Sequence, residues 1–110
     1  MTLGELLQYL EDHTDYDILD GTPAETVARS KDGSHKNAYA AEVVTSALAK
    51  LGIDSADDVI ERVPFVNALA PVRLKYMADD APVEGFRLVE KVIATTDAAF
   101  NEEVLAQKGK

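Results

Sequence analysis

Apolar side chains recur every three or four positions along most of this chain, and that spacing limits what it can fold into more than any other feature. Leu3, Leu6, Leu7 and Leu10 form the first stripe, which sets one leucine face of a helix against a core. Thr2 precedes it and Glu5 follows three residues later, a pair that satisfies the orphan amides of a helix start reciprocally. A helix is therefore predicted over 2–12. Thr22-Pro23-Ala24-Glu25 repeats the device, with proline at the first helical position where its missing N–H costs nothing. It predicts a short helix over 23–31, ended by Asp32-Gly33.

A third stripe, Tyr39, Val43, Val44, Ala47, Leu48 and Leu51, runs through an alanine-rich segment and predicts a helix over 35–51. Gly52 closes it, and Leu48 and Ile53 stand where the hydrophobic contact of a Schellman stop belongs. Asp54-Ser55-Ala56-Asp57-Asp58 reads as the next cap and acidic first turn, leading into a helix through Val59, Ile60 and Val63. Pro64, Pro71 and Pro82 then divide 64–81 into short helices joined at angles. Val72-Arg73-Leu74-Lys75-Tyr76 alternates apolar with polar and offers a strand as the rival reading. Phe86, Val89, Ile93, Thr96, Phe100 and Val104 predict one long helix over 82–106, with Thr95-Thr96-Asp97 as the place where it would break.

The expected fold is all-α, a small irregular bundle of five or six helices, with one short strand or hairpin near 72–76 as the alternative. At 110 residues and 11.9 kDa there is material for one core, so 1–110 is expected to form a single helical domain. The expected core is Leu3, Leu6, Leu7, Leu10, Val27, Val43, Val44, Leu48, Leu51, Val59, Ile60, Val63, Leu74, Phe86, Val89, Ile93 and Phe100. The segment 12–20 is rich in cap and turn formers and reads as a loop, pinned to that core by Tyr16, Ile18 and Leu19.

Charge narrows the function. The chain has no cysteine, which excludes disulfide scaffolds, thiolate metal sites and thiol nucleophiles. It has no apolar run long enough to span a bilayer and no basic start of a signal peptide. A cytoplasmic protein without a membrane partner is the expectation. Net charge is −9, and the first 28 residues carry seven acids and no base. Such a chain is repelled by phosphate backbones and anionic membranes, so direct nucleic-acid binding is not expected. Another protein with a basic surface fits as partner, and a homo-oligomer is compatible. The candidate contacts are Asp12, Asp15, Asp17 and Asp20 in the loop, and Asp54, Asp57, Asp58 and Glu61 on one face of the helix predicted there.

Arg29, Lys31 and Lys36, beside His35, form the one cationic island and are the candidate contacts for an anion. The plainer reading is that Arg29 and Lys31 favour the C-terminal end of their own helix. The acidic loop fails the calcium-loop pattern: counted from Asp15, the sixth position is Asp20 rather than glycine and the twelfth is Thr26 rather than glutamate. No metal ligand, cofactor or catalytic residue is assigned. The leading expectation is a non-catalytic protein-binding domain of the adaptor, chaperone or inhibitor kind. The alternatives are an acidic mimic of nucleic acid that blocks a DNA-binding protein, and a small enzyme using His13 or His35 with nearby carboxylates.

Overall fold

The computed structural model describes residues 1–109; Lys110 lies outside them. Six helices follow one another: α1 (Leu3–His13), α2 (Pro23–Asp32), α3 (Ala38–Leu51), α4 (Arg62–Ala68), α5 (Ala70–Tyr76) and α6 (Val83–Lys108). No strand forms among the described residues; the one β-type pairing is an isolated bridge between Thr2 and Val59. The all-α bundle is as expected, and the segment 72–76 is helical.

Both predicted capping boxes are present. Thr2 and Glu5 close the start of α1, and Thr22 and Glu25 that of α2, with Pro23 in its first turn. At the far end of α3, Gly52 takes a left-handed conformation, φ 65°, and the Gly52 and Ile53 amides both donate to the Leu48 carbonyl. Only glycine adopts that conformation at little cost. The start of α3 differs from expectation. His35 and Lys36 stay outside the helix, and Asn37 caps it by accepting from the Tyr39 and Ala40 amides.

The larger correction concerns 54–61, which is not helical. This stretch runs beside the chain's first residues. Leu3 donates to the Asp58 carbonyl at 2.9 Å, Gly4 to that of Ala56 at 2.8 Å, and Ile60 to that of Met1 at 2.9 Å. The first amides of α1 have no partner within their own helix, and the carbonyls of 56–58 supply two of them. Those carbonyls are thereby unavailable for a helix of their own. Gly4 permits the approach, since a Cβ there would lie 3.1 Å from the Ala56 oxygen. Of the two core residues expected here, Ile60 is buried, whereas Val59 is 73% exposed.

Leu74 was also placed in the core, yet it is 68% exposed, and Val63 is exposed too. In α5 the inward positions are Val72 and Tyr76, one helical turn apart, which turns Leu74 to the opposite side. Leu51, Phe86 and Ile93 are only partly buried against the core. The core has Leu3, Leu6, Leu7, Leu10, Phe65, Leu69, Leu88, Val89 and Val92 at its centre. Ile18 and Leu19 are buried from the loop, as expected.

α6 does not break at Thr95-Thr96-Asp97. Both threonines are buried, and the Thr96 hydroxyl donates to the Val92 carbonyl at 2.7 Å, which satisfies it without leaving the helix. The stripe that faces inward is Leu88, Val92, Thr95 and Ala99 together with Val89, Thr96 and Phe100, a rotation from the one expected.

Candidate functional site

Of the polar residues singled out from the sequence, Asp20, Arg29, His35 and Lys36 meet at the segment 14–22, which crosses from α1 to α2. His35 is buried. Its Nδ1 accepts from the Asn37 amide at 2.9 Å, so its Nε2 carries the proton donated to the Ile18 carbonyl at 2.9 Å. Asp20 stands beside it. One carboxylate oxygen accepts from the Lys36 amide at 3.0 Å and the other from the Arg29 guanidinium at 3.1 Å, and the same guanidinium nitrogen donates to the Asp20 carbonyl at 2.8 Å. The Lys36 amide, opposed by burial and then aided by the charges of Arg29 and Lys36, holds the Asp20 carboxyl below its ordinary value. The Leu19 amide donates to Glu11, and the Asp20 amide to the buried Thr26 hydroxyl. Every buried side-chain nitrogen or oxygen among the described residues has a partner. This polar strap fixes an irregular segment that has no ladder of its own.

The cationic island is engaged with groups of the chain itself while Lys31 and Lys36 stay exposed. Arg29 bridges Asp20 and Glu25, Lys36 lies 4.0 Å from Asp17, and the Lys31 ammonium reaches the Asp54 carbonyl at 3.2 Å. The other imidazole is exposed but also engaged: His13 stacks on Tyr9 at 3.8 Å between ring centres, and its Nδ1 lies 2.9 Å from the Tyr9 carbonyl. Neither histidine bonds to a side-chain carboxylate.

The acids sort into two kinds. Asp20 and Asp58 are structural. The Asp58 carboxylate accepts from the Asp54 and Ser55 amides at 3.4 and 3.3 Å and so caps the turn at 54–58. Asp12, Asp15, Asp17, Asp54, Asp57 and Glu61 are exposed; Asp12 accepts from Gln8. The expected helical row of Asp54, Asp57, Asp58 and Glu61 does not exist, because 54–58 is a turn and 59–61 is not helical. Among the described residues no group of three or more His, Asp or Glu is placed to hold a metal ion, and no helix is long and apolar enough to cross a membrane.

A second polar junction, not foreseen from the sequence, joins α3 to α5 and α6. Glu42 accepts from Lys75 and from the Tyr76 hydroxyl, and Tyr39 meets the Tyr76 ring edge-on at 5.6 Å. The Tyr76 ring lies over Gly85, where a Cβ would stand 2.5 Å from it, so α6 can carry only glycine at that crossing. Burial draws the Glu42 carboxyl upward, but the hydrogen bonds from Lys75 and Tyr76 outweigh it and leave it below its ordinary value. Burial, then the bond to Glu42, pushes the Tyr76 phenol up to about 12.

Beside this junction an open groove of about 360 Å³ lies between the end of α5 and the start of α6, lined by Tyr76, Met77, Ala81, Val83 and Phe86, with Asp79 at its edge. Asp80 and Glu84, next in sequence to its walls, are exposed. None of these three carboxylates has an ion-pair partner among the described residues. No protein-family model, curated protein or solved structure matches this chain.

Proposed function

We propose that this chain is a non-catalytic protein-binding domain whose partner presents a basic surface. The observation that carries this reading is the division of labour among its charges. The bases near the N-terminal loop, Arg29, Lys31 and Lys36, face groups of the chain itself, and both imidazoles are engaged with backbone carbonyls. Asp12, Asp15, Asp17, Asp57 and Glu61 remain exposed, in a chain of net charge −9. A surface left with one sign of charge attracts the opposite sign and raises the association rate of such a partner.

The test is affinity capture on the immobilised chain at low salt, followed by titration with the purified partner. Binding should weaken as salt rises, and replacing Asp12, Asp15 and Asp17 together with asparagine should slow association. Asp20 stays out of the set because it holds the strap. Binding that ignores both salt and the triple replacement would remove this face from the account. Turnover of a small molecule that vanishes with His13→Ala or His35→Gln would remove the non-catalytic reading altogether.

A further inference from the structure

The first turn of α6 and its final segment Val104–Lys108 are chemically complementary. Its first turn forms one wall of the acid-edged apolar groove. Its last two turns, 101–108, run past the core: beyond the buried Phe100 every described residue is exposed except Glu103, which is half-buried. There Val104 and Leu105 show 46% and 67% of their surface. Lys108 stands three and four residues further on, on the same side of the helix, and none of the residues from Val104 to Lys108 is acidic.

A helix of 26 residues is about 39 Å long at 1.5 Å per residue. The molecule measures 48 × 27 × 26 Å, so the overhang lies along its long axis. A rigid helix keeps its own two ends apart, and the groove and the overhang of one molecule cannot meet. They can meet between two molecules.

We propose that the groove at Tyr76, Met77, Val83 and Phe86 receives the Val104–Lys108 end of α6 from a second copy of this chain. Val104 and Leu105 would enter the apolar floor while Lys108 approaches the unpaired carboxylates of Asp79, Asp80 and Glu84. The contact joins different patches on the two copies. It therefore repeats head to tail instead of closing into a symmetric pair. The net charge of −9 opposes the approach of two copies, and two turns of helix bury little surface compared with a permanent interface, so the association is weak and concentration-dependent.

The experiment is sedimentation velocity on the full chain from about 10 μM to about 1 mM at moderate salt. The expected average mass rises above 11.9 kDa with concentration. Leu105→Asp and Met77→Asp each remove one half of the contact at an exposed position, and each should stay monomeric with an unchanged helical circular dichroism spectrum. An equimolar mixture of the two retains one good groove and one good end, and should form a species of two chains and nothing larger. Val83→Asp replaces Met77→Asp if the latter loses helicity. A parent chain that stays monomeric to the highest concentration, a single variant that associates like the parent, or a mixture that remains monomeric would each overturn the proposal. The triple replacement of Asp12, Asp15 and Asp17 should leave the association intact, which separates this contact from the basic partner proposed above.

Discussion

The strap at 14–22 and the last two turns of α6 are opposites. The strap has no helix and no strand, yet His35, Asp20, Glu11 and Thr26 tie its backbone to three neighbouring segments, and Ile18 and Leu19 are buried beneath it. The end of α6 has regular hydrogen bonding throughout, but beyond Glu103, which meets the terminal amine, every described residue is exposed. Regular secondary structure and fixed structure are thus different things here. A segment is held by what its side chains reach in the strap, and by its continuity with the packed turns before it at the end of α6.

The contrast can be broken at its strongest point first. His35→Ala removes the acceptor of the Asn37 amide and the donor to the Ile18 carbonyl together, and leaving buried backbone groups unpaired should cost about 1–3 kcal/mol. Denaturant unfolding gives the loss, and hydrogen exchange should show faster exchange at Asn37. A variant as stable as the parent would show that the strap is not held by this imidazole.

Asp20→Asn sharpens the comparison through pH. The folded carboxyl lies below the ordinary aspartate value of 3.8, so its contribution to stability is fully present above that value and is lost as pH falls through the lower folded one. The replacement should therefore be less stable than the parent near neutrality, with the gap closing in acid. Unfolding midpoints measured from about pH 7 to about pH 2 would show it, and parallel curves would refute it.

The smallest effect belongs to the other region. Deleting 104–110 spares the contact of Glu103 with the terminal amine at 3.0 Å and should change unfolding stability by no more than about 0.5 kcal/mol. A clearly larger loss in dilute solution would mean that the overhang is packed after all.

Most helices were legible because their signals are local. Capping boxes at Thr2 and Thr22 and the glycine stop at Gly52 depend on residues within a turn of each other, and no distant contact competes with them. The segment 54–61 was not legible for the opposite reason. Asp54, Asp57 and Asp58 have the composition of a helix start, but the orphan amides of α1 recruit the carbonyls of Ala56 and Asp58 from far along the chain. That single long-range demand also misplaced Val59. Leu74 went wrong because period-two alternation over five residues also contains the spacing of four that buries Val72 and Tyr76.

The candidate sites were less legible than the fold. Asp20 reads from the sequence as a partner contact and His35 as an imidazole in a polar loop, because the contacts that fix them, to Arg29 and Lys36 and to Ile18, lie between 9 and 17 residues away. The groove has no motif at all. Gly85, bare beneath the Tyr76 ring, was the nearest thing to a signal, since a glycine inside an otherwise helical pattern marks a close approach of something else.

The bridge between Thr2 and Val59 also orders events in time. α1 can coil early, but the amides of Leu3 and Gly4 must wait for carbonyls more than fifty residues downstream, and closing a circuit that wide takes entropy that a local turn does not. The packing of α1 against α6 comes later still, so the leucine face of α1 is completed only after the segment at 54–61 has docked.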